Sequence, residues 1–189
     1  PSRDECLKLL NEYVVHESIQ RHCKKVSEVA VFLAKKLKEK GVEINVGLVE
    51  AAALLHDSLK AVSFTYPDSL NEKELAKVNK LKEKYPHTDH AEAAYLELKE
   101  EYHEIAQLIR LHNPKNILNA KTWEEKLLNY ADKRVFSDKV VTLKKRMQYL
   151  EEKYNFKTPE EVIAAYQKVE KQIFDILGIE PDKLGEYIE

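Results

Sequence analysis

Hydrophobic and polar positions recur with a helical period along nearly the whole chain. Between Ser18 and Lys40 the apolar positions Ile19, Cys23, Val26, Ala30, Leu33 and Leu37 form one stripe at 3.6-residue spacing, with His22 inside it. Ser18 is the expected cap of that helix and Gly41 its stop. Asn45 is placed to cap the next helix, which carries Leu48, Ala51, Ala52 and Leu55 up to the adjacent pair His56-Asp57. The pattern breaks between Ala61 and Leu70, where Ser63, Thr65, Pro67, Asp68 and Ser69 mark a loop. A lysine-rich helix is expected over 72–84, ending before Pro86. Asp89 and Glu92 have the spacing of a capping box, which makes His90 the first residue of the helix that follows.

A further helix holds Ile105, Ala106, Leu108, Ile109 and His112 and stops before Pro114. Thr122 and Glu125 form a second capping-box signature. The helix it opens turns Leu127, Leu128, Ala131 and Val135 inward, with Asp132 one turn after Leu128. Two more amphipathic helices are expected over 138–155 and 159–177, the last ended by Gly178, with the tail 179–189 left to dock or fray. No internal repeat, low-complexity segment or dividing linker is visible. The expectation is an all-α single domain over 1–189, its core at about 18–150.

Composition narrows the class. The chain has 189 residues, 43% hydrophobic and 34% charged, enough for one domain with a real core. Its net charge of −2 does not advertise a nucleic-acid groove or an anionic membrane. The lysine runs at 35–40, 77–84 and 144–145 read as solvated faces, because they lack the interleaved aromatics of a nucleic-acid groove. Cys6 and Cys23 are far apart and read as free thiols of a reducing compartment. With no signal-like start and no apolar run of about 18 residues, the cytoplasm is the expected location and a membrane is not an expected partner.

The chemistry lies in polar groups placed where helices bury apolar faces. His22, His56, His112 and Asp132 lie on or beside such faces, and Asp57 and His90 stand at helix ends. Unpaired polar groups are costly to bury. A divalent metal held between helices would satisfy all of them at once. His56 and Asp57 are adjacent, so on a regular helix they point about 100° apart. They can share a metal only if other helices close around the end of theirs. A single buried histidine is more often a hydrogen-bonded core residue, so the constellation carries the argument. His103 reads as a solvated position, His16 as a helix junction without metal, and Tyr66 and Trp123 as packing.

The segments "SIQRHCKKVSEVAVFLAKKL", "AALLHDSLK" and "LLNYADKRV" together resemble the HD-domain metal-dependent phosphohydrolases over roughly residues 18–150. Many members follow the doublet with Ile-Gly, where this chain has Ser58-Leu59. The resemblance implies that His22, His56, Asp57 and Asp132 bind a divalent metal. Some members hold two ions with two further histidines. By order and context in "HTDHAEAAYLEL" and "IAQLIRLHNP" these are His90 and His112, with His87 the rival to His90. Asp57 would then bridge the ions. Iron or manganese is the usual choice for two ions. Single-metal members use various divalent ions, so cobalt, nickel, zinc and magnesium also stay open.

The activity implied is hydrolysis of a phosphomonoester or phosphodiester in a nucleotide or related metabolite, by water activated on the metal. Asp57 and Lys60 are the candidate catalytic residues. Lys60, Arg21, Lys133 and Arg110 are the candidate partners of a small phosphorylated substrate, and Arg146 is expected to support Asp138. The 61–71 loop and the 113–121 segment are expected to border the pocket. Two other classes remain open, a di-iron oxygenase acting on a small organic substrate and a nucleotide-binding sensor with little turnover. A homodimer is left open as well.

Overall fold

A computed structural model describes residues 1–66 and 70–188. Its helices are α1 (Arg3–Glu12), α2 (Glu17–Glu39), α3 (Val46–Leu55), α4 (Glu72–Lys84), α5 (His90–Leu98), α6 (His103–Arg110), α7 (Trp123–Asp132), α8 (Leu143–Tyr154) and α9 (Glu160–Leu177). Short 3-10 turns lie at Lys60–Val62, Pro114–Asn119 and Pro181–Tyr187. Among the described residues the only sheet is an antiparallel ribbon of β1 (Val135–Phe136) and β2 (Lys139–Val140), with Val135 opposite Val140. The fold is all-α, as the periodicity predicts.

The helices α2 and α3 form the centre. The stripe Cys23, Val26, Ala30, Leu33 and Leu37 is fully buried along α2. On α3 the run Ala51–Leu55 is buried on every side, because α1, α2, α6 and α7 surround it. A helix enclosed in this way has no polar face to show. Three alanines in that run let its neighbours approach closely. The end of α3 therefore lies deep in the bundle, and the residues that follow it have nowhere to go but inward.

Several boundaries differ from the sequence expectation for local reasons. The N-cap of α2 is His16, whose Nδ1 accepts from the Ser18 backbone N–H, so Ser18 lies inside the helix. Asp89 does cap α5, but through the Ala91 N–H at 2.9 Å, and Glu92 turns away to take Arg110 Nε at 2.7 Å. The expected box is therefore not formed there. The expected boxes at Thr122/Glu125 and an unforeseen one at Asn71/Glu74 are both present. His112 lies two residues past the end of α6.

The largest difference is at 133–142. Helix α7 stops at Asp132, and the ribbon with its loop at Ser137-Asp138 precedes α8, which begins at Leu143 rather than 138. Thr142 caps α8 through the Lys145 N–H. Ser137 has φ +55°, a left-handed conformation unusual outside glycine. Arg134, 1% exposed, locks this region. Its Nε donates to the Val141 carbonyl at 2.7 Å and its Nη2 to the Pro181 carbonyl at 2.7 Å, while Nη1 reaches Tyr130 Oη and Glu170. The tail docks through this residue and through Leu184, which is fully buried. Cys6 and Cys23 are free and buried. Of the expected loop, Pro67, Asp68 and Ser69 lie outside the described residues.

Candidate metal centre

Six side chains from five helices and their ends meet in two adjoining triads, His22/His56/Asp132 and Asp57/His90/His112. Within each triad the potential ligand atoms lie within 4.8 Å of one another. Apart from His22 on the face of α2, all come from helix ends. His56 and Asp57 follow α3, His90 is the first residue of α5, His112 follows α6, and Asp132 closes α7. A helix end lets a side chain turn into the bundle while the backbone leaves it.

The distances tie the triads together. His22 Nε2 is 3.0 Å from Asp132 Oδ1, and His56 Nε2 is 3.9 Å from the same oxygen. Asp57 faces both triads. Its Oδ2 is 3.9 Å from His56 Nε2, while its Oδ1 is 3.0 Å from His90 Nε2 and 3.9 Å from His112 Nε2. His90 Nε2 and His112 Nε2 are 3.3 Å apart. The backbone separates His87 from His90. His87 sits exposed at φ +57° in the loop before α5, and His90 is in the triad.

The hydrogen-bond pattern bears directly on whether the residues suit a metal. His56 Nδ1 donates to the Ala53 carbonyl at 2.8 Å, and His112 Nδ1 donates to the Ile109 carbonyl at 2.5 Å. Both use a last-turn carbonyl three residues back, where acceptor capacity is to spare, although the Ile109 oxygen also accepts the His112 backbone N–H at 3.1 Å. His22 Nδ1 donates to the Ser137 carbonyl at 3.1 Å, across 115 residues of chain. In each ring the proton is thereby placed on Nδ1, and the Nε2 lone pair is turned toward carboxylate oxygens. His56 Nε2 is buried with no hydrogen-bond partner. Lone pairs set against carboxylates in a buried site need a positive species between them. Carbonyl-oriented imidazoles are also the usual support of metal-bound histidines. The donor set therefore fits a divalent ion.

Electrostatics agree with this assignment. Burial pushes the His56 ring below its ordinary pKa despite Asp57 and Asp132, and burial with His56 nearby takes His112 down to about 3, so both rest neutral. Burial would raise Asp57, but His56, Lys60 and His90 outweigh it and hold the carboxyl well below the usual range. Asp132 behaves likewise, through Lys133, His22 and His56. Neutral imidazoles and ionised carboxylates are the forms that coordinate metals.

The basic residues divide. Lys60 Nζ is 3.3 Å from Asp57 Oδ1 and 3.2 Å from His90 Nε2, at the edge of the second triad. Burial would lower its pKa, yet Asp57 keeps it raised and charged. Lys133, 4% exposed, pairs with Asp132 and lines the same hollow. Arg21 lies outside the hollow and holds Glu17 at 2.6 Å and Asp138 at 3.8 Å. Arg110 is likewise outside it, paired to Glu92 and 4.6 Å from the Tyr95 ring centre. Asp138 is thus supported by Arg21 and not by Arg146, which instead lines the cavity.

The triads open into a hollow of about 330 Å³ that includes Asp89, Asn113 and Pro114. A wider one of about 730 Å³ adjoins it, reaching Ser63 and Phe64. Parts of both expected border segments are therefore at the cavity. Residues 116, 119, 120 and 121 instead line a separate hollow. Sequence reasoning missed the Ser137 carbonyl and the α8 wall. The only advance signal of that wall was the spacing of Arg146, Tyr149, Lys153 and Tyr154 on one helix face.

A helical bundle whose helix ends deliver three imidazoles and a carboxylate pair into a buried, solvent-connected pocket defines a metal-binding α-domain. A family model described as HD domain matches residues 19–166, and the chain belongs to that family. The family is of the metal-dependent phosphohydrolase type, and its members bind divalent metals. No curated protein and no solved structure matches the chain. No helix among the described residues is long and apolar enough to cross a membrane.

Proposed function

We propose that this protein hydrolyses a phosphomonoester or phosphodiester of a small metabolite, a nucleotide or a close relative, using one or two divalent ions held by His22, His56, Asp57, His90, His112 and Asp132. The observation that carries the reading is the set of three imidazoles with Nδ1 committed to backbone carbonyls and Nε2 turned toward two ionised carboxylates in an open cavity. A bound divalent ion supplies Lewis acidity, acidifying a water and drawing charge from a phosphoryl oxygen at neutral pH.

The protein's own groups do the rest. The backbone carbonyls fix the rings, so little reorganisation is needed when the site is loaded. Asp57 presents one oxygen to each triad and is the residue two ions would share. Lys60 holds a full positive charge beside Asp57 and His90, within reach of a phosphate lying over the second triad. Lys133 keeps Asp132 ionised from its buried position.

The test is metal analysis of the purified protein followed by a panel of phosphomonoesters and phosphodiesters with Mn²⁺, Co²⁺, Fe²⁺ and Mg²⁺. Phosphate or alcohol release that chelation abolishes and one of these ions restores is the expected result. Oxygen uptake with a small organic substrate and no phosphate release would assign the site to oxygenase chemistry. Nucleotide-induced thermal stabilisation without product would make it a sensor.

A further inference from the structure

The wall of the cavity opposite the triads belongs to α8, and its chemistry is unlike that of the rest of the site. Lys60 is paired with Asp57 and Lys133 with Asp132, so their charges are balanced within the protein. Arg146 is not balanced. It lines both hollows and makes no ion pair among the described residues, and its Nε is buried without a hydrogen-bond partner. The guanidinium is held by rings instead, 5.8 Å from the Phe136 ring centre and 5.6 Å from that of Tyr149. Those two rings are 4.3 Å apart, centre to centre.

Two turns further along α8, Lys153 lies 5.7 Å from the Tyr149 ring and 5.3 Å from that of Tyr154, also without an ion pair among the described residues. A guanidinium whose planar donors are left unspent, in a cavity that opens on a metal centre, suits two oxygens of an anion. Aromatic faces beside it suit a flat ring carried on the same molecule.

We propose that this face of α8 selects the substrate. Arg146 takes non-bridging phosphate oxygens, and Tyr149 with Phe136 and Tyr154 stacks a flat ring on the leaving group. The preferred ligands are then phosphomonoesters bearing an aromatic ring, such as nucleoside monophosphates, over sugar phosphates without an aromatic ring. This rests on the phosphohydrolase reading, but its test separates the two, because binding is measured as well as turnover.

The probes are adenosine monophosphate, ribose 5-phosphate and inorganic phosphate, titrated calorimetrically into the Mn²⁺-loaded protein, alongside kcat and KM for the two esters. Wild type is expected to bind adenosine monophosphate about tenfold or more tightly than ribose 5-phosphate, the range base stacking supplies. Tyr149→Leu should erase that preference, weakening adenosine monophosphate about tenfold more than ribose 5-phosphate. Arg146→Gln should weaken all three probes about tenfold or more, with partial rescue by Arg146→Lys and with metal stoichiometry as in wild type.

A preference for the ring-bearing ester that survives Tyr149→Leu, or phosphate affinity that survives Arg146→Gln, overturns the inference. So does equal binding of the two esters by wild type. If the binding pattern is as expected but no ester is hydrolysed, the hydrolase reading fails and the selecting wall stands. If an ester is hydrolysed without the pattern, the reverse holds.

Discussion

Replacing Arg134 with methionine tests how the architecture reaches the metal centre. The substitution keeps the buried stem and removes the charge and all donors. It strips the Val141 and Pro181 carbonyls of hydrogen bonds of 2.7 Å each, and it leaves Tyr130 Oη and Glu170 without their cation. Hydrogen bonds to charged groups are worth about 1.5–3 kcal/mol each, which for two gives about 3–6 kcal/mol. Breaking a buried ion pair from one side costs about 3–5 kcal/mol by itself. Glu170 is 21% exposed and recovers hydration, so no separate ion-pair loss is added, and the low end of the hydrogen-bond sum, about 3 kcal/mol, is the expected loss.

For a chain of this size that corresponds to a fall of roughly 6–12 °C in Tm. The consequence extends further, because Val141 follows β2 and the ribbon loop carries the Ser137 carbonyl that takes the His22 Nδ1 proton. Loosening that loop should weaken metal affinity about 10-fold, the low end for loss of a ligand's supporting hydrogen bond. Urea or thermal unfolding of chelator-treated protein reads the first effect, and Mn²⁺ titration well below Tm reads the second. A stability loss under about 1 kcal/mol would refute the assignment of Arg134 as the lock of this region. Unchanged metal affinity would refute the link from lock to ligand.

Three further outcomes are expected. Asp57→Ala should abolish metal-dependent stabilisation, which in wild type at 100-fold excess over Kd is about 2.7 kcal/mol, together with any hydrolysis. An unaltered Tm increment with Mn²⁺ would count against Asp57 as a ligand. Ser137→Val puts a β-branched residue at φ +55° and should cost about 1–2 kcal/mol in thermal unfolding, whereas Ser137→Asn should be tolerated. Glu97 accepts from Lys84 Nζ at 2.7 Å and from Tyr85 Oη; burial opposes its ionisation, but these donors with Lys80 nearby hold its pKa below the ordinary value. A lowered folded pKa contributes stability that is present above the unfolded value and lost as pH falls through the folded one. Glu97→Gln should therefore destabilise by under about 1 kcal/mol at pH 7, and the difference should vanish as the pH falls through the lowered folded pKa and both states become protonated. A difference that persists at low pH would show that charge is not its cause.

The sequence by itself determined the elements whose information is local. The stripe on α2, the buried run of α3, the Thr122/Glu125 box and the Gly178 stop all follow from periodicity and caps. Those terms act within a few residues. The residue types suited to a metal were legible for the same reason, as polar groups set on apolar faces. Only the tertiary structure decided what depends on distance through space. It brought His22 and Asp132, 110 residues apart, to 3.0 Å. It set His90 among the triad residues and left His87 exposed, at φ +57°. It drew Glu92 out of a capping box toward Arg110, an ion pair that local spacing could not foresee. It also ended α7 at Asp132, where Arg134 finds acceptors in the ribbon and the tail that no helix continuing to Val135 would bring near. Burial and long-range pairing compete with local propensity on nearly equal terms, and at each of these positions the partner that decided the outcome came from a distant part of the chain.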